Sequence, residues 1–211
     1  MTQLEWTARA LVAWTPYLAG GFVWNIAISF VALVLGLAAG FALAVLRLST
    51  RTAASRAGGW LTSASRNVPT FVFQYYLIFM LPDAFVLPLV DVTVALPAWL
   101  KAALALSLAV SGFTSDNLLG PVRDWRAGSR ASARLFVSHL VNYFVVIVMA
   151  SSAASVIGVP ELVSRCNTVI NALGRSDAMI WVYLYGMTWF CVFSLTMTAL
   201  LPTLYSRLTN R

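Results

Sequence analysis

Few residues in this chain could do covalent chemistry. The single histidine, His139, stands where a basic stretch meets an apolar run. The two cysteines, Cys166 and Cys191, lie far apart and form neither a CxxC nor a metal-ligand spacing. HExxH, GxSxG, the phosphate-binding GxxxxGK[ST] and paired carboxylates are all missing from the sequence. The expectation is therefore a chain that is not an enzyme and uses no cofactor or metal, with any nucleotide hydrolysis on another subunit. What remains is noncovalent chemistry. Asn25, Gln74, Asp116, Asn142, Ser151 and Ser152 are polar groups in or beside apolar runs. Such groups tie helices together or line a path for a polar solute. Arg123, Arg126, Arg130 and Arg134, against one acid, Asp124, form a basic stretch between two apolar runs. Arginines so placed set membrane topology or grip a partner outside the bilayer.

The elements that must hold these residues are membrane helices. Of 211 residues 60% are hydrophobic and only 10% charged, where soluble domains carry about 25% charged residues. At about 20 residues per span, the apolar runs accommodate five helices and short connections. The net charge of +7 does not point to nucleic acid, because the arginines cluster at the ends of apolar runs instead of on one face. The expected fold is all-α and polytopic, a single membrane domain over residues 20–205 preceded by an interfacial segment over 1–19. Spans are expected at about 20–47, 66–82, 98–119, 140–158 and 178–204, with the basic loop at 120–139.

Several details follow from the composition of each segment. The opening MTQLEWTARALVAW lacks a basic n-region, so no cleavable signal peptide is expected. It interleaves tryptophans with polar residues, as an interfacial helix does, and Pro16 should end it or start the next helix. Gly36 and Gly40 are spaced for close helix approach, or are ordinary glycines of a membrane helix. The second span is short, so it should begin in the arm before Pro69, with a kink there. Residues 82–97 read as an outer loop and Lys101 as a snorkelling base. Asp116 should face the bundle interior and pair. The stretch Ala150–Gly158 is a run of small residues suited to close packing or a cavity wall. Val163, Cys166, Val169, Ile170 and Leu173 recur at helical spacing and predict a short outer helix. Ten of the fourteen basic residues (Arg47, Arg51, Arg56, Arg66, the four of the central loop, Arg207 and Arg211) fall on one side of this topology. That bias places the N-terminus outside and the C-terminus inside.

Three stretches resemble the membrane permeases of bacterial ABC importers for polar amino acids. Pro16-Tyr17-Leu18 with Gly20, leading into a long apolar helix that ends Leu46-Arg47-Leu48-Ser49, is similar to that family's start. Ser65-Arg66-Asn67-Val68-Pro69-Thr70 with Gln74 is similar to its Arg-Gly-Thr-Pro segment. Ser151-Ser152-Ala153-Ala154-Ser155-Val156-Ile157-Gly158-Val159-Pro160-Glu161-Leu162 resembles its Thr-Ser-Leu-x-Ser-Val-Ile-x-Val-x-Glu-Leu run, with Asn142 on the upstream asparagine.

The resemblance implies a type I importer permease in the cytoplasmic (inner) membrane, moving polar amino acids. Its partners would be a cytoplasmic ATPase dimer, a second permease (the same chain or, favoured, a similar one) and a periplasmic amino-acid-binding protein. Asn142, Ser151, Ser152, Gln74 and Asp116 would line the path. Arg123, Arg126, Gly128, Arg130, Ala131 and Arg134 would form the loop that couples to the ATPase. That loop departs from the family pattern. Gly128-Ser129 stands at the family's Gly-Gln, Ala131-Ser132-Ala133 stands where Glu-Ala-Ala is usual, and the chain from Phe136 to Asn142 is shorter than the norm. The rival reading is a regulatory or interaction subunit that keeps the permease fold without transporting.

Overall fold

In the computed structural model, residues 3–87, 92–128 and 131–209 are described, with the backbone alone described for 3, 4, 85, 87, 92, 94, 126, 131–134 and 202–209. Among the described residues, seven α-helices carry the fold: α1 (Gln3–Arg47), α2 (Thr52–Asn67), α3 (Thr70–Met80), α4 (Ala98–Arg126), α5 (Ala131–Ala150), α6 (Leu162–Leu173) and α7 (Met179–Thr209). Four stretches of the described residues are long and apolar enough to cross a membrane: Glu5–Arg47, Ala98–Trp125, Leu135–Ile157 and Ser176–Leu201. The apolar α3 has 11 residues, about 16 Å at 1.5 Å per residue, and falls short of a crossing by itself. The helical membrane architecture expected from composition is thus the one found.

Local chemistry explains where helices stop. Pro69 lacks an N–H and pushes the residue before it out of the helical region. Val68 and Pro69 are accordingly extended and part α2 from α3. Pro16 and Pro121, by contrast, lie inside continuous helices. The expected boundary near Pro16 is absent, and α1 runs for 45 residues, about 67 Å. Thr15 donates to the Leu11 carbonyl at 2.8 Å and contacts the Tyr185 hydroxyl at 2.9 Å, which ties the proline-bearing turn to α7. The outer connection also differs from a loop. Ala84–Leu87 (β1) and Val92–Ala95 (β2) pair antiparallel, Ala84 opposite Ala95 and Leu87 opposite Val92. Short β-branched runs between prolines favour that arrangement. The small-residue run Ser151–Ile157 is a 3-10 segment closed by Gly158 at φ 86°. Each of its serines at 151, 152 and 155 bonds a carbonyl three residues back, a local competition that suits the tighter helix.

The core forms along α1. One cluster joins Ile28 and Ala32 of α1 to Ala102, Ala103, Leu106 and Val110 of α4 and to Ile147, Ala154 and Val159. A second joins Leu18 and Phe22 to Val148, Leu162, Cys166, Val169 and Val182. Gly36 and Gly40 settle the spacing question in favour of close approach. A Cβ on Gly36 would lie 2.3 Å from Val110 Cβ, and one on Gly40 2.5 Å from Thr114 Cβ. Outside the core, large apolar side chains stay uncovered, among them Val23, Phe30, Phe41, Ile180, Val192 and Leu195. A coat of this kind suits the apolar surroundings of a bilayer.

Candidate functional site

Two polar clusters are built inside this apolar frame. The outer one starts from Asn25, fully buried on α1. Its Nδ2 donates to Ser151 Oγ at 2.9 Å and to Glu161 Oε2 at 2.9 Å. Its Oδ1 accepts from the Leu162 N–H at 3.0 Å. Glu161 caps α6 as well, accepting from the Val163 and Ser164 N–H groups. A carboxylate at a helix N-terminus is favoured by the free donors and the dipole there. Burial pushes the Glu161 carboxyl above its ordinary value of 4.5, against the pull of the Asn25 and backbone hydrogen bonds. The same burial, with the charge of Glu161, pushes the Cys166 thiol up to about 12. Nearby, Lys101 does not snorkel. It is fully buried and donates to the Leu81 carbonyl at 2.8 Å and to Asp83 at 2.9 Å. It thereby pins the end of α3 and the start of the hairpin to α4.

The inner cluster is organised by Asp116 on α4. Arg47, the last residue of α1, reaches its Oδ1 at 2.5 Å, and Arg66 of α2 bonds its Oδ2. Arg47 also donates to Ser115, whose hydroxyl shares a hydrogen bond with Thr62 at 2.8 Å. One carboxylate thus ties the C-terminal ends of α1 and α2 to α4. A cavity of about 360 Å³ opens beside it, lined by Arg66, Ala109, Phe113, Asp116, Asn117 and Tyr143. Phe113 and Tyr143 stack face to face with centroids 3.8 Å apart. The exposed His139 contacts one lining residue, with Nδ1 3.3 Å from Asn117 Oδ1. The cavity offers a carboxylate, a guanidinium, an amide and an aromatic wall, a set able to contact a polar solute. Among the described residues, no group of three His, Cys, Asp or Glu side chains could hold a metal ion.

The residues singled out from the sequence fall in different places. Ser151 belongs to the outer cluster and Asp116 to the inner one. Gln74 is buried on α3, and neither of its amide atoms has a hydrogen-bond partner among the described residues. Asn142 is exposed on α5, and the Ser152 hydroxyl donates to the Met149 carbonyl. The structure does not bring these five together at one point. On the basic stretch, Arg123 is exposed at the end of α4, and Gly128 takes the left-handed φ of 83° that a side chain rarely adopts. Arg126, Ala131 and Arg134 lie on helical backbone with undescribed side chains, and Arg130 is outside the described residues. Helix α4 therefore continues into the basic stretch through Arg126 and α5 begins at Ala131. Sequence reasoning missed Arg47 and Arg66 as the partners of Asp116. Their positions at the ends of apolar runs were visible, but read only as topology signals. It also missed Glu161 as a buried group. The one available signal was Asn25, a polar residue inside an apolar run that needs a partner.

The chain matches no protein-family model and no curated protein. Solved structures do match. An amino acid ABC transporter crystallised with histidines aligns at 18% identity and a TM-score of 0.76, over 93% of this chain and 96% of that one. The MetNI methionine ABC transporter in an inward-facing conformation aligns at 15% identity and a TM-score of 0.57, over 97% and 99%. Identities this low speak to the fold alone, and on that ground the chain is a polytopic helical membrane protein with the fold of an ABC transporter permease.

Proposed function

We propose that the chain is the membrane-spanning permease subunit of an ABC importer that moves polar amino acids across the cytoplasmic membrane. The observation that carries this reading is the alignment with the amino acid ABC transporter over nearly the full length of both chains. Fold alone does not fix function. The reading gains support from the polar cavity beside Asp116 and from the exposed Arg123 next to the Gly128 turn. In this reading the substrate passes Asn142, Ser151, Ser152, Gln74 and Asp116. A cytoplasmic ATP-binding dimer docks on the segment that holds Arg123, Arg126, Gly128, Arg130, Ala131 and Arg134. A second permease, most simply a similar chain, completes the path, and a periplasmic binding protein delivers the amino acid. The N-terminus is periplasmic and the C-terminus cytoplasmic.

Purification of the chain from its native membrane under mild detergent tests this. An ATP-binding subunit should co-purify, and the complex in vesicles should hydrolyse ATP faster when supplied with its amino-acid-loaded binding protein. Loss of ATPase docking in an Arg123→Ala/Arg126→Ala variant is expected. A chain that comes down without any ATP-binding subunit refutes the transport reading and leaves the non-transporting one.

A further inference from the structure

We propose that the exposed face of α2, with the residue that precedes it, is a docking surface for anionic phospholipid, Arg56 on the helix and Arg51 just before its first turn receiving headgroup phosphate and Trp60 and Leu61 seated at the boundary between headgroups and acyl chains. The proposal rests on the membrane location of the chain and does not depend on the transport reading.

Four observations converge on this face. The first is depth. Helix α2 follows the end of the apolar run of α1 and precedes the apolar α3, so both of its ends are tied to membrane-level elements. Its inner side is held at that level. Gly58 lies so close to α1 that a Cβ there would be 2.9 Å from Arg47 Cγ. Thr62 bonds Ser115, and Gly112 packs on Ser65 and Arg66. The second is sidedness. Gly58, Thr62 and Ser65 are buried, whereas Trp60 is 72% and Leu61 43% exposed. Arg56 is one turn before Trp60, so the two share a face.

The third is charge. From residue 6 to residue 82 the chain contains no acid. The acid that does approach α2, Asp116, is already engaged by Arg47 and Arg66. Arg51 and Arg56 are exposed and, among the described residues, make no ion pair. The fourth is the residue type. A tryptophan held at the end of the apolar runs is at the depth where indole rings are most stable, with an apolar body toward the chains and an N–H toward water. A helix that carries Arg56 and a large uncovered aromatic ring on one face, with Arg51 exposed just before its first turn, matches an anionic leaflet in both charge and polarity.

The test uses the full chain reconstituted in vesicles of equimolar phosphatidylglycerol and phosphatidylcholine, with bromine on the acyl chains of one lipid at a time. Bromine quenches indole emission on contact. The difference between the unmodified chain and Trp60→Phe isolates the Trp60 signal. Brominated phosphatidylglycerol should quench it more than brominated phosphatidylcholine, with a local enrichment of about fivefold per engaged arginine. The preference should fade at high salt, vanish in Arg51→Gln/Arg56→Gln and persist in Arg51→Lys/Arg56→Lys. Unchanged phosphatidylcholine quenching of the other tryptophans reports that each variant is folded. Equal quenching by the two lipids in the unmodified chain overturns the proposal. So does a preference that survives the double glutamine variant. Absence of Trp60 quenching by either lipid overturns it as well, and means that protein covers this face.

Discussion

Glu161 and Asp116 are both acids in an apolar chain, yet their surroundings set them different tasks. Glu161 is enclosed, and its carboxyl is pushed above the ordinary 4.5 because burial penalises the charge more than its hydrogen bonds compensate. The protonated form is therefore relatively favoured in the folded state. The stability this contributes is fully present below the ordinary value and is lost as pH rises through the elevated one. Thermal melts of the purified chain in detergent should show a melting temperature that declines over that window, and Glu161→Gln should flatten the decline. Glu161→Ala leaves the Asn25 amide and two N–H groups of α6 short of an acceptor, and should cost about 1–3 kcal/mol. Asp116 is more open and carries two arginines. Asp116→Asn removes charge-assisted bonds to both and should destabilise by about 2 kcal/mol. The loss should shrink when Arg66, the more exposed partner, is changed first, which a double-mutant cycle measures directly.

At the scale of elements, the contact between α1 and α4 decides the packing. It is close because glycines meet branched side chains, as at Gly36 with Val110 and Gly40 with Thr114. Replacing Gly40 even with alanine puts a methyl into Thr114 Cβ and the Ser111 carbonyl, the latter 2.6 Å away. Gly40→Ala should therefore lower stability by about 1–3 kcal/mol, the range for overpacking. A methyl added at Gly59 on α2 would meet nothing within 4 Å. Gly59→Ala should stabilise by about 0.5–1 kcal/mol through helix propensity alone. If both substitutions shift the melting temperature in the same direction, the close crossing is not what holds α1 on α4. The GxxxG spacing was legible in the sequence. Its partner helix was not, because the spacing leaves room for a neighbour without naming it. Prolines show the same limit: Pro69 breaks a helix while Pro16 and Pro121 sit within one. Local sequence does not say which of the two a given proline will do.

For the whole molecule, the asymmetry of charge predicts which end faces which compartment. The proposed orientation puts Ala57 on the cytoplasmic side and Asn171 on the periplasmic side, both exposed. In a chain with Cys166 and Cys191 replaced by alanine, a membrane-impermeant maleimide should label Asn171→Cys in intact cells. Ala57→Cys should be labelled only after permeabilisation. The reverse pattern would invert the topology and with it the side on which an ATPase could dock. In the unsubstituted chain, Cys166 should resist maleimide near neutral pH, because its thiol, buried against the Val182 carbonyl and pushed up to about 12, stays protonated.

By itself the sequence determined that this is a membrane protein of several helices. Sustained apolar runs would be too costly to expose to water, and arginines at their ends mark where the chain leaves the lipid. It also marked most polar residues that matter, since a polar group inside an apolar run stands out. Only the tertiary structure decided how they pair. Asn25 meets Ser151 and Glu161 across more than a hundred residues, and Asp116 draws in Arg47 and Arg66 from two other helices. Those pairings depend on the azimuth and depth at which each helix packs. These are set by the fit of side chains such as Val110 and Thr114 against Gly36 and Gly40, a fit with no counterpart in one-dimensional spacing. The segment after Arg123 shows the same division. Its charge was plain from the sequence, while the end of α4 at Arg126, the left-handed turn at Gly128 and the start of α5 at Ala131 came from the fold.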